Sequence, residues 1–429
     1  MEENRNPAYR KSAVRETDRG EKRQNDGKPE RTEETVQEER GASMNALING
    51  RLVMRDTVLD DMVILYDRRI ERVVPRETWE KKQAAERCEV VDTGGAYVAP
   101  GFINLHIHGC MGADTMDGSR EALETMSAFQ ASTGVTTFLP TTMTCGPEAL
   151  AAAAGAVREA MRDGLPGARA AGLYLEGPFI AEAYKGAQKA SHIAPADYRL
   201  VEPWEDVVRI VMIAPETVSR DELRRFTDRC RDKGIGVTLG HTAADYDTAM
   251  YAIRECGAGQ VTHLFNAMTG LHHRNPGVVG AALDSGAVCE LIADNLHVHP
   301  AAQRIVCRVK GCGGIALVTD SMRACGLGDC DSELGGQEVF VRNGEARLAD
   351  GTLAGSVLTL DRALANFREN TGVFLPEAVR TVTEAPARLL GTEKEMGALA
   401  PGYLADFTVF DEKGAVSLTI VEGHTVFSK

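Results

Sequence analysis

Two histidines two residues apart, His106 and His108, sit in the stretch Pro100-Gly101-Phe102-Ile103-Asn104-Leu105-His106-Ile107-His108-Gly109. The apolar, partly β-branched surroundings read as a buried strand that runs into a glycine turn. Residues two apart on a strand point to the same side, so both imidazoles face one way. Neutral ring nitrogens on one face can share a metal ion. A single histidine in such a run would be read as a satisfied core residue. The pair gains a chemical reading because Glu176, His241, His263 and Asp320 recur at or near the ends of later apolar runs. Four imidazoles and two carboxylates suit a divalent cation; zinc, iron, manganese and cobalt all accept these donors. Asp320 could serve as a ligand, a proton shuttle, or both.

Such residues need elements that bring them to one place. Eight apolar runs, 102–108, 136–140, 172–176, 207–214, 236–241, 261–265, 289–293 and 315–320, alternate mostly with amphipathic segments such as 120–133, 148–163, 220–233 and 246–255. Strand–helix alternation eight times over predicts parallel pairing through crossover helices, and the closed solution is an α/β fold of the (β/α)8 TIM-barrel type. Its site lies at the C-terminal ends of the strands, where the six candidate ligands fall. An open doubly wound sheet is the other topology, but the first turn lacks a G-x-G-x-x-G pattern and gives a dinucleotide no support. The segment after the third run is irregular, as expected of a functional loop. Residues 337–348 read as a hairpin turning at Asn343-Gly344, and helices are expected near 359–369 and 376–383. Short strands at 46–48, 51–54, 61–66, 69–74 and 89–92, with a turn at Asn49-Gly50, resemble those at 407–410, 417–421 and 424–427. They predict a small β-sandwich domain built from both chain ends. The expected layout is a disordered tail at 1–43, the first part of the small domain at 44–97, the barrel at 98–397 and the rest of the small domain at 398–429.

The tail carries 11 Asp/Glu and 10 Lys/Arg, so nearly all of the net charge of −14 belongs to the body. Its composition cannot bury enough apolar surface to offset the entropy of ordering. The net charge argues against a nucleic-acid partner and requires a local basic patch for any anionic substrate. No apolar run is long enough for a membrane helix, and the first residues are too charged for a signal peptide. Ten cysteines without a C-x-x-C pair suit a reduced, cytoplasmic protein.

The stretch 100–109, Leu175-Glu176-Gly177-Pro178-Phe179, Gly240-His241-Thr242 and Thr262-His263-Leu264-Phe265-Asn266-Ala267-Met268 together resemble the amidohydrolase superfamily. Within it they resemble the N-acetylglucosamine-6-phosphate deacetylase family. Arg274-Asn275-Pro276-Gly277, Ile292-Ala293-Asp294-Asn295-Leu296-His297, Val318-Thr319-Asp320-Ser321-Met322 and Gly351-Thr352-Leu353-Ala354-Gly355-Ser356 extend the resemblance over roughly 44–429. The His-x-His pair would fit any amidohydrolase, whereas Leu-Glu-Gly-Pro-Phe with His-Leu-Phe-Asn-Ala-Met is distinctive.

The resemblance implies that Glu176, His241 and His263 are common metal ligands, and that His106 and His108 add a second divalent cation bridged by Glu176. Zinc or iron comes first, with manganese or cobalt also within reach of the donors. It implies that Asp320 moves the proton, that Asn266 and Ala267 hold an amino-sugar phosphate, and that Arg274 and His297 grip its phosphate. The arginine would come from a neighbouring subunit, hence a homodimer. Two positions depart from the family. Gln188 stands where one-metal members carry a histidine that assists the acetyl carbonyl; it can donate a hydrogen bond but carries no charge. Asn295 stands where glycine is usual. The competing readings are a cyclic-amide hydrolase of the dihydroorotase type, which would use a carbamylated lysine as the bridge where this chain offers Glu176, and a non-catalytic sugar-phosphate binding protein.

Overall fold

The computed structural model describes residues 44–82 and 88–429, so the tail expected at 1–43 lies outside the described residues. At its centre run parallel strands Phe102–Ile107, Val135–Pro140, Leu173–Leu175, Val208–Ile213, Gly236–Leu239, Gln260–Val261, Val288–Leu291 and Ile315–Leu317. Each overlaps one of the eight apolar runs, and most stop one to four residues before the run does. The first, second and seventh are buried along their whole length. A parallel strand covered on both faces needs apolar residues throughout, which is why these segments are continuous rather than alternating.

The first strand pairs with the second, which also pairs with the two-residue Arg169–Ala170; the third to eighth form a six-stranded sheet in sequence order. Gly172, at φ +150°, separates Arg169–Ala170 from Leu173–Leu175 and lets one segment pass from one sheet to the other. A Cβ there would lie 2.7 Å from the Val207 carbonyl oxygen. Isolated parallel bridges cross both seams, Thr141 with Tyr174 and Ile107 with Ser321. At the second seam the Asp320 N–H donates to the His106 carbonyl at 2.9 Å, and the His108 N–H donates to the Ser321 carbonyl at 2.9 Å. The domain is TIM-barrel-like. Helices Arg120–Ser132, Arg220–Asp232 and Tyr246–Arg254 begin where the sequence supplies a cap: Ser119, Ser219 and Asp245 each accept a backbone N–H of the first turn. Such caps contribute about 1 kcal/mol each.

Strands from both ends join one eight-stranded sheet. Its link is Phe407–Phe410, which lies antiparallel to Tyr97–Pro100. Tyr97–Pro100 thus pairs in the end sheet, and the first central strand begins at Phe102. The turn expected at Asn49-Gly50 is instead an irregularity inside one strand, Met44–Val53. Asn49 takes φ 58°, and the register against Val58–Tyr66 shifts there, as in a β-bulge. The strand runs on because its partner pairs with it on both sides of the bulge. The end strands form a single sheet, yet Tyr66 and Phe407, on strands three places apart, meet edge to face at 5.1 Å between ring centroids. A flat sheet would hold them about 14 Å apart, so this sheet curls over its own core of Leu47, Ile64, Val98 and Ile420.

A further three-stranded sheet, Asp331–Leu334, Gln337–Arg342 and Glu345–Arg347, turns at Asn343-Gly344 as expected, both residues having positive φ. Leu334, Val339 and Val341 pack it onto Met143, Ala187 and Met322 beside the barrel mouth. Among the described residues no helix is long and apolar enough to cross a membrane.

Candidate metal centre and active site

The strands stop early where the candidate ligands begin. His106 lies in the first strand and His108 just beyond it; Glu176, His241, His263 and Asp320 follow the third, fifth, sixth and eighth. All six are buried. His241, His263 and Asp320 have φ of 45°, 29° and 47°, a region that side chains with a Cβ rarely occupy. Each such residue costs about 1–3 kcal/mol and persists only where its surroundings hold it. The break in strand geometry turns these side chains into the mouth.

Glu176 occupies the middle. Its Oε1 lies 3.1 Å from His263 Nε2, 3.3 Å from His241 Nε2 and 3.5 Å from His106 Nε2. Its Oε2 lies 3.1 Å from His108 Nε2. Asp320 Oδ1 faces His108 Nε2 at 3.2 Å and His106 Nε2 at 3.6 Å. The opposite ring nitrogens are all engaged. His108, His241 and His263 direct Nδ1 to the carbonyls of Thr141, Tyr184 and Asn266 at 3.3, 2.8 and 3.1 Å. A carbonyl only accepts, so Nδ1 carries a hydrogen, and in the neutral ring Nε2 presents its lone pair to the cluster. His106 Nδ1 meets Glu290 Oε2 at 3.0 Å.

This donor set fits a divalent cation. His106 Nε2 is buried without a hydrogen-bond partner. Two groups, His106/His108/Asp320 and Glu176/His241/His263, each hold their ligand atoms within 4.8 Å of one another. Without a cation the cluster is a set of ion pairs. Burial alone would raise the Glu176 carboxyl, but His106 and His108 outweigh it and hold it well below its ordinary range. Asp320 behaves likewise, brought down to about 2 against its burial by His106 and His108. Burial alone would lower the imidazoles; Glu176 and Asp320 reverse this and raise His106, His108 and His263.

A cavity of about 520 Å³ opens onto the cluster and is lined also by Gln188, Asn266, Ala267, His297 and Arg347. Another cavity, of about 510 Å³, lies between the helix Leu360–Thr371 and the end sheet; no histidine lines it, and it holds none of the cluster. Asn266 and Ala267 thus reach the site, on a segment whose His263, Phe265 and Ala267 all have positive φ. His297 reaches it too, its Nδ1 2.6 Å from Asp294 Oδ2. Asn295 takes φ 70°, so the loop keeps a glycine-like conformation that asparagine tolerates.

Two candidates remain, Gln188 and Arg274. Gln188 lines the cavity, but its amide is already engaged: Nε2 donates to Glu176 Oε2 at 2.7 Å, and the oxygen accepts the Thr144 N–H at 2.6 Å. Arg274 is exposed and outside the cavity lining of its own chain. The sequence reading missed Glu290 and Arg347. Glu290 had a signal, a lone carboxylate inside the apolar run 289–293. Arg347 had none, because its place depends on how the three-stranded sheet packs. Its guanidinium donates to Glu345 and to the Gly351 carbonyl, each at 2.8 Å.

Residues 97–426 match the Amidohydrolase family. The chain is 38% identical over 361 residues to the N-acetylglucosamine-6-phosphate deacetylase of Bacillus subtilis (strain 168), covering 82% of this chain and 88% of that protein. Its fold is similar to the crystal structure of N-acetylglucosamine-6-phosphate deacetylase from Pasteurella multocida, with a TM-score of 0.82, 30% identity, and coverage of 90% of this chain and 100% of that one. It is also similar, with a TM-score of 0.80, to a deacetylase variant from Mycobacterium smegmatis in complex with N-acetyl-D-glucosamine-6-phosphate, at 29% identity and the same coverages.

Proposed function

The chain belongs to the amidohydrolase family and, within it, to the N-acetylglucosamine-6-phosphate deacetylases; on that premise we propose that it hydrolyses the acetamide of N-acetylglucosamine 6-phosphate to glucosamine 6-phosphate and acetate, in amino-sugar catabolism. The observation that carries the reading is one buried carboxylate, Glu176, between four imidazole Nε2 atoms, with Asp320 lining the same cavity.

The groups His106/His108/Asp320 and Glu176/His241/His263 would hold two cations per chain, zinc or iron before manganese or cobalt. A divalent cation bound there supplies Lewis acidity, making water nucleophilic near neutral pH and polarising the amide carbonyl. Asp320 takes the proton from the attacking water and returns it to the amine nitrogen, which leaves poorly unless protonated. A carboxylate is ionised at neutral pH, so Asp320 begins the cycle in the accepting form. Asn266 and Ala267 orient the sugar, and Gln188 contributes from the cavity wall through Glu176. His297, steadied by Asp294, and Arg274 hold the phosphate. The exposure of Arg274 outside its own cavity supports delivery from a second copy, hence a homodimer.

The finer architecture belongs to the same proposal. The bridges at both seams support a closed eight-stranded barrel, and the Tyr66–Phe407 contact supports a sandwich-like end domain. The layout is a tail at 1–43, end-domain parts at 44–97 and 398–429, and a barrel at 98–397, its first strand starting at Phe102. Buried free thiols such as Cys110, Cys230 and Cys289 support a reducing, cytoplasmic setting.

Acetate release measured on N-acetylglucosamine 6-phosphate, its C4 epimer and the unphosphorylated sugar tests the reading. Release is expected from the phosphorylated glucosamine derivative, and chelation should abolish it. No release by zinc- or iron-loaded protein would overturn the proposal.

A further inference from the structure

Glu290 is a buried carboxylate, 0% exposed, that the proposed chemistry does not use. It stands in the seventh strand, Val288–Leu291. A buried charge is costly unless it is paired and hydrogen-bonded. Among the described residues Glu290 forms no ion pair with lysine or arginine; its ion-pair partner is His106. Oε2 accepts from His106 Nδ1 at 3.0 Å and from the His263 N–H at 3.2 Å, and Oε1 accepts from the Gln260 side-chain amide. The other three ligand histidines rest on neutral carbonyls, those of Thr141, Tyr184 and Asn266. Only His106 is backed by a carboxylate, and its Nε2 is the buried ring nitrogen without a hydrogen-bond partner.

We propose that Glu290 is the positioning residue of the His106/His108/Asp320 half of the centre. By accepting the Nδ1–H it fixes the tautomer that leaves Nε2 free for a cation. Its charge also makes that imidazole a stronger donor. The cation affinity of this half is thereby raised separately from that of Glu176/His241/His263. The inference rests on the two-cation reading above.

Glu290→Gln isolates the charge. The amide oxygen can still accept from His106 and His263, and Gln260 can turn its own amide to receive the new NH2. Zinc is titrated calorimetrically into the metal-free full chain of wild type, Glu290→Gln and His108→Asn, with circular dichroism and melting to check folding. Wild type should show two binding events, and the event missing in His108→Asn identifies the half in question. Glu290→Gln should weaken that event about ten- to hundredfold and leave the other within about threefold. Two unchanged events, or two events weakened alike, would overturn the inference, the latter showing general support of the fold. A single event in wild type would instead remove the two-cation reading. If that event survived in His108→Asn, the inference about Glu290 would fall with it. If it vanished there, and Glu290→Gln weakened it at least tenfold, the inference would stand on one cation. Should Glu290→Gln fail to fold, His106→Gln decides: the event assigned by His108→Asn must vanish in it too, and its persistence at full strength would overturn the route through His106.

Discussion

The two carboxylates of the cluster are not equivalent residues. Glu176 meets four imidazoles and the Gln188 amide, whereas Asp320 meets His106 and His108 through Oδ1. The Asp320 side chain is also the more accessible, 12% against 3% exposed. Asp320→Asn should therefore keep the fold and most of the cation while losing 10²–10⁴-fold in kcat, the range of a general acid–base group. Turnover above about a tenth of wild type, with an unchanged melting curve, would assign the proton transfer elsewhere. For the phosphate, Arg274→Ala should cost on the order of 2 kcal/mol in kcat/KM on the phosphorylated substrate and almost nothing on the unphosphorylated one. Arg347→Ala should cost less, because Glu345 and the Gly351 carbonyl already engage that guanidinium. Equal losses on both substrates would show that Arg274 supports structure. Subunit exchange between Arg274→Ala and Asp320→Asn chains should restore one intact site per mixed dimer; no recovery after proven exchange would keep the arginine in its own chain.

Among the elements, the loop after the third strand shows why a motif residue has its identity. Gly177 follows Glu176, takes φ 87°, and a Cβ there would sit 2.0 Å from Thr144 Oγ1. Thr144 in turn donates its N–H to Gln188, which holds Glu176. Gly177→Ala should thus lower stability by about 1–3 kcal/mol through backbone strain and also weaken cation binding, since Thr144 must move. Thermal melts and metal analysis check this; normal metal content in the folded variant would show that the loop yields without disturbing Glu176. The same element lesson holds at the fifth, sixth and eighth strands. Their apolar runs predicted strands to 241, 265 and 320, whereas the regular strands end at Leu239, Val261 and Leu317. Hydrophobicity continues because the strand ends remain buried, while positive φ at His241, His263 and Asp320 has already broken the regular strand geometry.

For the whole molecule, a chain begun at Met44 should melt and turn over like the full chain, since 1–43 lacks an apolar pattern to pack. A large loss of activity would show that the tail serves the site or a second copy. The centre also links stability to pH. His106, His108 and His263 are raised above the ordinary 6.5. Their contribution to the metal-free fold is fully present below that value and is lost as pH rises through the raised values. Glu176 and Asp320 are lowered, so their side of the same ion pairs is present above the ordinary 4.5 and 3.8 and lost only as pH falls through the lowered values. The metal-free protein should therefore melt lower at about pH 8.5 than at about pH 6. The zinc-loaded protein should move the other way, because protons stop competing for the imidazoles. Parallel trends in melting scans with and without chelator would sink this account.

The sequence alone determined the number and order of the central strands, the six cluster residues and the likeness to amidohydrolases. Burial periodicity and metal-donor chemistry are local properties, written in residue types and spacing. Only the tertiary structure decided that Gln188 is tied to Glu176, that Asn49-Gly50 bends a strand rather than reversing it, and that Glu290 stands behind His106. It also set Arg274 outside its own cavity and brought Arg347 to the rim. Each of these depends on which side chain from a distant element arrives at 3 Å rather than 6 Å. Spacing along one strand cannot carry that distance, because it is fixed by how eight strands stagger and how the loops after them pack.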